Sequence, residues 1–394
     1  MATGMSDQDA AFQGEEPAFT VEGNRLSLLT RGPERLAALI GLIDGARSSL
    51  RLLYYIYSDD EAGRRVRAAL LAALARGVPV SLIVDGFGSN ADDAFFVPLE
   101  AAGADVCRFI PRLGRRYLLR NHQKLALADS RRAIIGGFNI ENDYFGDPAD
   151  GAWRDLGALV EGPAATRLAG YFDALARWAH QPRPRMRDLR RALYRWSEPR
   201  GQVRWLLGGP TRRLSPWART VRKDMRRARG LEMIFAYFAP NPAVLRRIEA
   251  VARRGSARII TPAKLDHSSM IGAARHCYAR LLRRGVEIYE YQPTKMHTKL
   301  FVADDVVHLG SANFDIRSLV LNLELMLRVE DPAFAAHCGR YFEGELAQSR
   351  RITAEEHRAR STLFNRIMWG LAYFVVAVVD NRLTRRLNFG TERP

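Results

Sequence analysis

Cysteine is scarce. Cys107, Cys277 and Cys338 are the only three in 394 residues, far apart and without a Cys-x-x-Cys spacing. That excludes a disulfide framework and a cysteine-held zinc, and it suits a reducing compartment. Long apolar runs are missing too. The uninterrupted stretch Ile367 to Val379 has 13 residues, short of the roughly 20 that a membrane-spanning helix needs. The N-terminus lacks the basic start and apolar core of a cleaved signal, so residues 1–20, polar and acidic, are expected to be a disordered tail. Acidic residues are in deficit, 43 against 60 Lys and Arg, for a formal charge of +17. Such a surface calls for a polyanionic partner, either nucleic acid or an anionic membrane.

What is present is concentrated in one stretch. Met296 to Ser318, MHTKLFVADDVVHLGSANFDIRS, packs His297, Lys299, Asp304, Gly310, Ser311 and Asn313 among apolar residues with strand character. Residues two apart in a strand project from one face, so His297 and Lys299 point at one place, and Asp304 sits where a hairpin should turn. An imidazole beside an ammonium suits a phosphate. The order recurs in NHQKLALADSRRAIIGGFN as His122, Lys124, Asp129, Gly136, Gly137 and Asn139. The histidines lie 175 residues apart and the first glycines 174, which fits a turn one residue longer in the first copy.

Duplication extends beyond the motifs. Gly209-Pro210 answers Gly32-Pro33, LEMIFAYFAP answers LRLLYYIYSD, and VEIYEYQ answers ADVCRFI. Strands alternating with helices predict an α/β fold: two similar α/β domains with mixed, mainly parallel sheets, facing each other about a pseudo-two-fold axis with one shared cleft. The expected division is a tail at 1–20, a first domain at 21–180, a basic linker at 181–201, a second domain at 202–350 and a membrane-associating C-terminal segment at 351–394. After each motif comes an acidic position, Asp155 in WRDL and Glu324 in LNLEL, each six residues before a glutamate. On a strand beside the hairpin such a carboxylate can accept from an imidazole Nδ1 and fix its tautomer. Asp155 lies 16 residues past Asn139, against 11 from Asn313 to Glu324, so the first copy departs from the pattern of the second.

These motifs resemble the signature of the phospholipase D superfamily, H-x-K-x(4)-D followed by G-[GS]-x-N. The strings NHQK, GGFN, WRDL, VEGPA, GVEIYEYQ, GSANFDIRS and LNLEL make residues 24 to 345 most similar to bacterial cardiolipin synthases. The resemblance implies catalytic His122, Lys124, Asp129, His297, Lys299 and Asp304, with the motif aspartates the more structural members. It implies that Asn139, Asn313, Gly137, Ser311, Asp155 and Glu324 bind or orient the phosphate, without metal or cofactor. It also implies His122 as nucleophile and His297 as acid/base, although the near-identical motifs do not themselves distinguish the two. The substrate it implies is phosphatidylglycerol, joined to a second phospholipid with release of glycerol. Hydrolysis by a phospholipase, or cleavage of nucleic acid by a related nuclease, would use the same catalytic set.

Charge placement favours lipid over nucleic acid. Residues 181–230 hold 16 Lys or Arg against three acids, with Trp196, Trp205 and Trp217 interleaved, a composition that suits anionic headgroups. The C-terminal run, bracketed by Arg366 and by Arg382, Arg385 and Arg386, suits a helix lying in the interface, or one docked on the protein or on a second copy as a homodimer. A peripheral protein on the cytoplasmic face of a bacterial inner membrane is expected. Tyr117, Arg120 and Tyr144 flank the first motif and could line the cleft. His308, inside the hairpin, is expected to pack, and His180, His267, His276, His337 and His357 to be structural or superficial.

Overall fold

The structure, a computed structural model, describes residues 16–109, 119–211, 214–266 and 268–379. The first half runs β1 (Ala18–Val21), β2 (Asn24–Leu29), α1 (Gly32–Asp44), β3 (Leu50–Tyr54), α2 (Glu61–Ala75), β4 (Val80–Asp85), α3 (Asp93–Ala101), β5 (Asp105–Phe109), β6 (Leu125–Ala128), β7 (Arg132–Gly136), β8 (Gly157–Glu161) and α4 (Pro163–His180). Helix α5 (Met186–Trp196) leads to the second half: β9 (Val203–Gly208), α6 (Pro216–Arg227), β10 (Gly230–Phe235), β11 (Phe238–Ala239), α7 (Pro242–Arg254), β12 (Ser256–Pro262), α8 (Ser268–Leu282), β13 (Glu287–Tyr291), β14 (Lys299–Ala303), β15 (Val306–Gly310), β16 (Phe314–Asp315), α9 (Ile316–Val320), β17 (Glu324–Glu330) and α10 (Pro332–Ala347). Strand β18 (Ser349–Ile352), α11 (Ala354–Arg360) and α12 (Leu363–Tyr373) close the described chain.

The repeat is visible in the strand order. One sheet reads β1-β2-β8-β7-β6-β3-β4-β5, and the other, taken backwards, β9-β17-β15-β14-β10-β12-β13-β18. The two share seven positions; β1 extends one edge of the first and β18 the opposite edge of the second. Both are mixed, but less parallel than expected. Within these two sheets parallel pairing is confined to β3-β4-β5 and to β10-β12-β13, the strands joined by crossover helices; β11 and β16 form a separate two-stranded parallel sheet. The motif hairpins add antiparallel neighbours on the other side, so antiparallel pairs predominate.

Period-two alternation sends side chains to two different cores. In β6, Leu125 and Leu127 face a cluster shared by both halves, while Ala126 and Ala128 face the cluster beneath α1, α2 and α3. In β14, Leu300 and Val302 join the shared cluster and Phe301 and Ala303 a third one, beneath α6, α7 and α8. The shared cluster, with α4 and α10, makes the two halves one packed body.

Three expectations are corrected. Ala18–Val21 is a strand paired with β2, and Glu16 accepts from Thr30 Oγ1 at 2.8 Å and pairs with His337, so the tail is shorter than 1–20; residues 1–15 lie outside the described residues. The 181–201 linker contains α5, whose Leu189 and Leu193 are buried in the shared core. Trp205 and Trp217 are each 1 % exposed, and the Trp205 indole donates to the Ala164 carbonyl at 2.8 Å, so neither can meet a lipid headgroup. An indole among arginines reads alike in sequence whether its strand or helix turns it inward or outward.

Candidate active site

Each motif is built by its hairpin. Asp129 and Ser130, with φ of 54° and 55°, turn β6 into β7, and Asp304, with φ of 50°, turns β14 into β15 over a loop one residue shorter. Their carboxylates accept from backbone N–H groups, Asp129 from Ser48 at 2.7 Å and Asp304 from Gly230 at 2.7 Å. At about 3.3 Å per residue these turns lie some 20 Å along the hairpin from the histidines. Asp129 and Asp304 therefore do not belong among the catalytic groups: they fasten the hairpins to the loops before β3 and β10.

At the other end of the hairpins the two halves meet. The His122 N–H donates to the Leu323 carbonyl at 3.0 Å, and the His297 N–H to the Arg154 carbonyl at 2.7 Å. This backbone exchange brings each histidine beside the acidic strand of the opposite half. His122 Nδ1 lies 3.0 Å from Glu324 Oε2, and His297 Nδ1 lies 2.7 Å from Asp155 Oδ2. The carboxylates are crossed, each serving the other half's ring. With Nδ1–H donating to a carboxylate, the Nε2 lone pair is left for chemistry.

The glycine and serine after each hairpin serve these carboxylates. A Cβ on Gly137 would sit 2.4 Å from Asp155 Oδ1, so only glycine leaves room for that side chain. Ser311, its counterpart, donates its hydroxyl to Glu324 and accepts from the Leu325 N–H at 3.0 Å. Arg35 donates to the Asp155 carbonyl at 2.6 Å and to the Tyr144 carbonyl at 2.8 Å, fixing the backbone behind His297. Nothing in the sequence marks Arg35 off from the other arginines.

Both lysines are buried and fold back onto their own motif, Lys124 Nζ donating to the His122 carbonyl at 2.6 Å and Lys299 Nζ to that of His297. Burial lowers the Lys124 ammonium to about 7 and that of Lys299 to about 8. Burial, aided by Lys299, pushes His297 down to about 3, and burial lowers His122 as well. Burial alone would raise Asp155, but the neighbouring His297 and Lys299 overcome it and hold the carboxyl below its usual range. Burial thus favours the neutral form of both imidazoles.

Both rings open onto a cleft of about 850 Å³. Tyr55 packs against His122 with ring centroids 5.1 Å apart, whereas Tyr144 and Trp153 enclose His297 at 5.2 and 5.5 Å. Asn139 and Asn313 line the cleft. Asn139 is anchored, accepting from the Ile56 N–H at 3.1 Å and donating to the Tyr144 hydroxyl at 3.0 Å, while Asn313 Oδ1 is buried without a hydrogen-bond partner among the described residues. Arg120 and Tyr144 line the cleft as expected; Tyr117 and His267 lie outside the described residues. Tyr55, Trp153 and Arg317 line the cleft too; Trp153 stands two residues before Asp155 and Arg317 four after Asn313, whereas Tyr55, directly after β3, is far in sequence from either motif.

The other described histidines are away from the two dyads. His308 is fully buried with Nε2 2.9 Å from Asp224 Oδ2, and His180 lies on the surface 3.2 Å from Asp105. His276 and His357 stack on Tyr373 and Trp369 of α12.

A duplicated α/β body with two crossed imidazole–carboxylate pairs over one cleft defines a two-domain protein of the phospholipase D superfamily. The chain belongs to the family described as cardiolipin synthase, PLD-like domain, whose model matches residues 39–175 and 222–346. Cardiolipin synthase A of Pseudomonas fluorescens is 32% identical over 347 residues, covering 85% of this chain and 71% of that protein. The major cardiolipin synthase ClsA of Bacillus subtilis is 29% identical over 357 residues, covering 87% and 73%. Among solved structures, the phosphatidylserine synthase of Haemophilus influenzae has the same fold with a TM-score of 0.69 at 13% identity, covering 94% of this chain and 97% of that one. A polyphosphate kinase from Porphyromonas gingivalis shares it at a TM-score of 0.58 and 15% identity, covering 94% and 56%.

Proposed function

We propose that the protein is a phosphatidyltransferase of cardiolipin synthase type, acting on phosphatidylglycerol at an anionic membrane surface. The observation that carries this reading is the pair of crossed, buried imidazole–carboxylate dyads facing one cleft, in a chain of that family. Nε2 of one histidine, His122 following the family resemblance, attacks phosphorus. The bond from phosphorus to the glycerol oxygen breaks, and His297 gives that oxygen its proton, leaving a phosphatidyl-histidine. The hydroxyl of a second phosphatidylglycerol then attacks; His297 takes its proton, the N–P bond breaks and cardiolipin leaves.

Charge build-up on the non-bridging oxygens is met by Lys124 and Lys299, with Asn139 and Asn313 on the cleft wall. An incoming phosphodiester anion also raises the proton affinity of the imidazole it does not bond, which supplies the acid. The net charge of +17 draws the protein to anionic lipid.

The test is to incubate purified protein with phosphatidylglycerol vesicles and EDTA and resolve products by lipid mass spectrometry. Cardiolipin with released glycerol is expected. Phosphatidic acid alone would convert the reading to hydrolysis, and no lipid product would overturn it in favour of another phosphodiester. His122→Ala and His297→Ala should each leave less than about a tenth of the activity with an unchanged melting profile.

A further inference from the structure

Helix α12 is apolar on the face it turns to solvent as well as on the face that packs. Its inner face packs on α8 and α11: Tyr373 stacks on His276 of α8 at 4.7 Å, Trp369 stacks on His357 of α11 at 5.3 Å, and the Tyr373 hydroxyl donates to the Pro240 carbonyl, just before α7, at 2.9 Å. A Cβ on Gly272 of α8 would lie 3.3 Å from Ala372 Cβ, so the two helices approach closely there. The helix is thus held in a fixed orientation. Its outer face carries Leu363, Phe364, Ile367, Met368 and Leu371, exposed by 75, 71, 60, 45 and 53 %, and continues into Phe374 and Val375. At 100° per residue these positions fall within an arc of about 140°. Large apolar side chains in one exposed stripe mark a contact surface.

The position of the stripe names its occupant. Its far end, Val375 and Val376, forms part of the wall of the catalytic cleft together with Met270 of α8. An apolar surface therefore runs without interruption from the outside of the molecule to the site where a phosphodiester is to be handled. Exposed Arg366, on α12 itself, stands at the edge of the stripe. An apolar band edged by an arginine matches the boundary between acyl chains and anionic headgroups.

We propose that the outer face of α12 docks into the interfacial layer of an anionic bilayer and sets the cleft mouth against it. A lipid can then pass from bilayer to cleft with its acyl chains along α12. The proposal rests on the phosphatidyl-transfer reading only for which lipid makes that passage.

The experiment is flotation of the full chain with phosphatidylcholine vesicles, with and without phosphatidylglycerol, comparing the wild type with a triple variant, Leu363→Ser, Ile367→Ser and Leu371→Ser. These side chains are exposed, and an unchanged melting profile together with retained turnover of the soluble diester bis(p-nitrophenyl) phosphate certifies the fold and the cleft. Expected is flotation of the wild type with the anionic vesicles, at least a ten-fold loss in the variant, and a parallel loss of lipid turnover. A variant that floats as well as the wild type overturns the proposal. So does a wild type that fails to float, or a wild-type dimer that the substitutions turn into a monomer with flotation unchanged, which would give the stripe to a second copy. Flotation lost in the variant with no lipid product from either protein would overturn the transferase reading and leave the docking surface standing.

Discussion

Because the carboxylates are crossed, replacing one should damage the histidine of the other half. Asp155→Asn replaces the carboxylate beside His297 Nδ1 by an amide, and Glu324→Gln does the same beside His122. Each amide can settle with its NH2 toward the ring and stabilise the wrong tautomer, so turnover should fall by about 10²–10⁴ with little change in KM, read from steady-state kinetics on a soluble diester. The lysines set a pH limb. Lys124 at about 7 and Lys299 at about 8 are cationic below those values and, as pH rises through them, lose the charge that we propose meets the phosphate. kcat/KM should therefore decline between about pH 7 and 8 and above. An arginine stays charged to pH 12 and beyond, so Lys124→Arg, at whatever reduced rate it retains, should move that limb upward in a pH–rate profile.

At the scale of the element, the hairpin turns are fastenings, and their predicted effect is on stability. Asp304 accepts from the N–H groups of both Arg229 and Gly230, and its left-handed φ is one that aspartate tolerates better than most residues. Asp304→Ala should cost about 1–3 kcal/mol in denaturant unfolding, from lost hydrogen bonds and backbone strain, while the catalytic rate of the folded fraction stays near wild type. These hairpins were legible in the sequence because their information is local: period-two apolar residues, an aspartate at the turn, glycine after it. The strands and helices of both halves follow for the same reason. What was not legible depends on which surface packs on which. Asp155 is 142 residues from the ring it serves, and Trp205 and Trp217 are turned inward by β9 and α6 meeting the cores. The sheets are less parallel than the pattern suggests because the helix-linked strands dominate the sequence, while in each sheet five of the seven neighbouring pairs are antiparallel, three of them made by the motif hairpin.

On the scale of the whole molecule the halves are joined at Arg154. Its guanidinium, on a side chain 16 % exposed, lies between the buried Glu345 carboxylate of α10 and the Thr30 carbonyl, 3.0 Å away, and its backbone N–H donates to the Lys295 carbonyl of the second half at 2.9 Å. Removing one partner of a buried ion pair strands the other charge. Arg154→Met should thus cost about 3–5 kcal/mol of global stability by denaturant titration. Because Arg154 also presents the carbonyl that holds the His297 backbone, the surviving folded protein should be slower as well.

Two identical copies of one half, paired about a dyad, could form both crossed dyads by symmetry alone, and their two sites would then be forced to stay alike. A single continuous chain lifts that constraint. Where one copy has Gly137 the other has Ser311, and where one imidazole meets Tyr55 the other is enclosed by Tyr144 and Trp153. Covalent linkage has given the two histidines separate evolutionary fates, so that one can specialise for bonding to phosphorus and the other for moving protons.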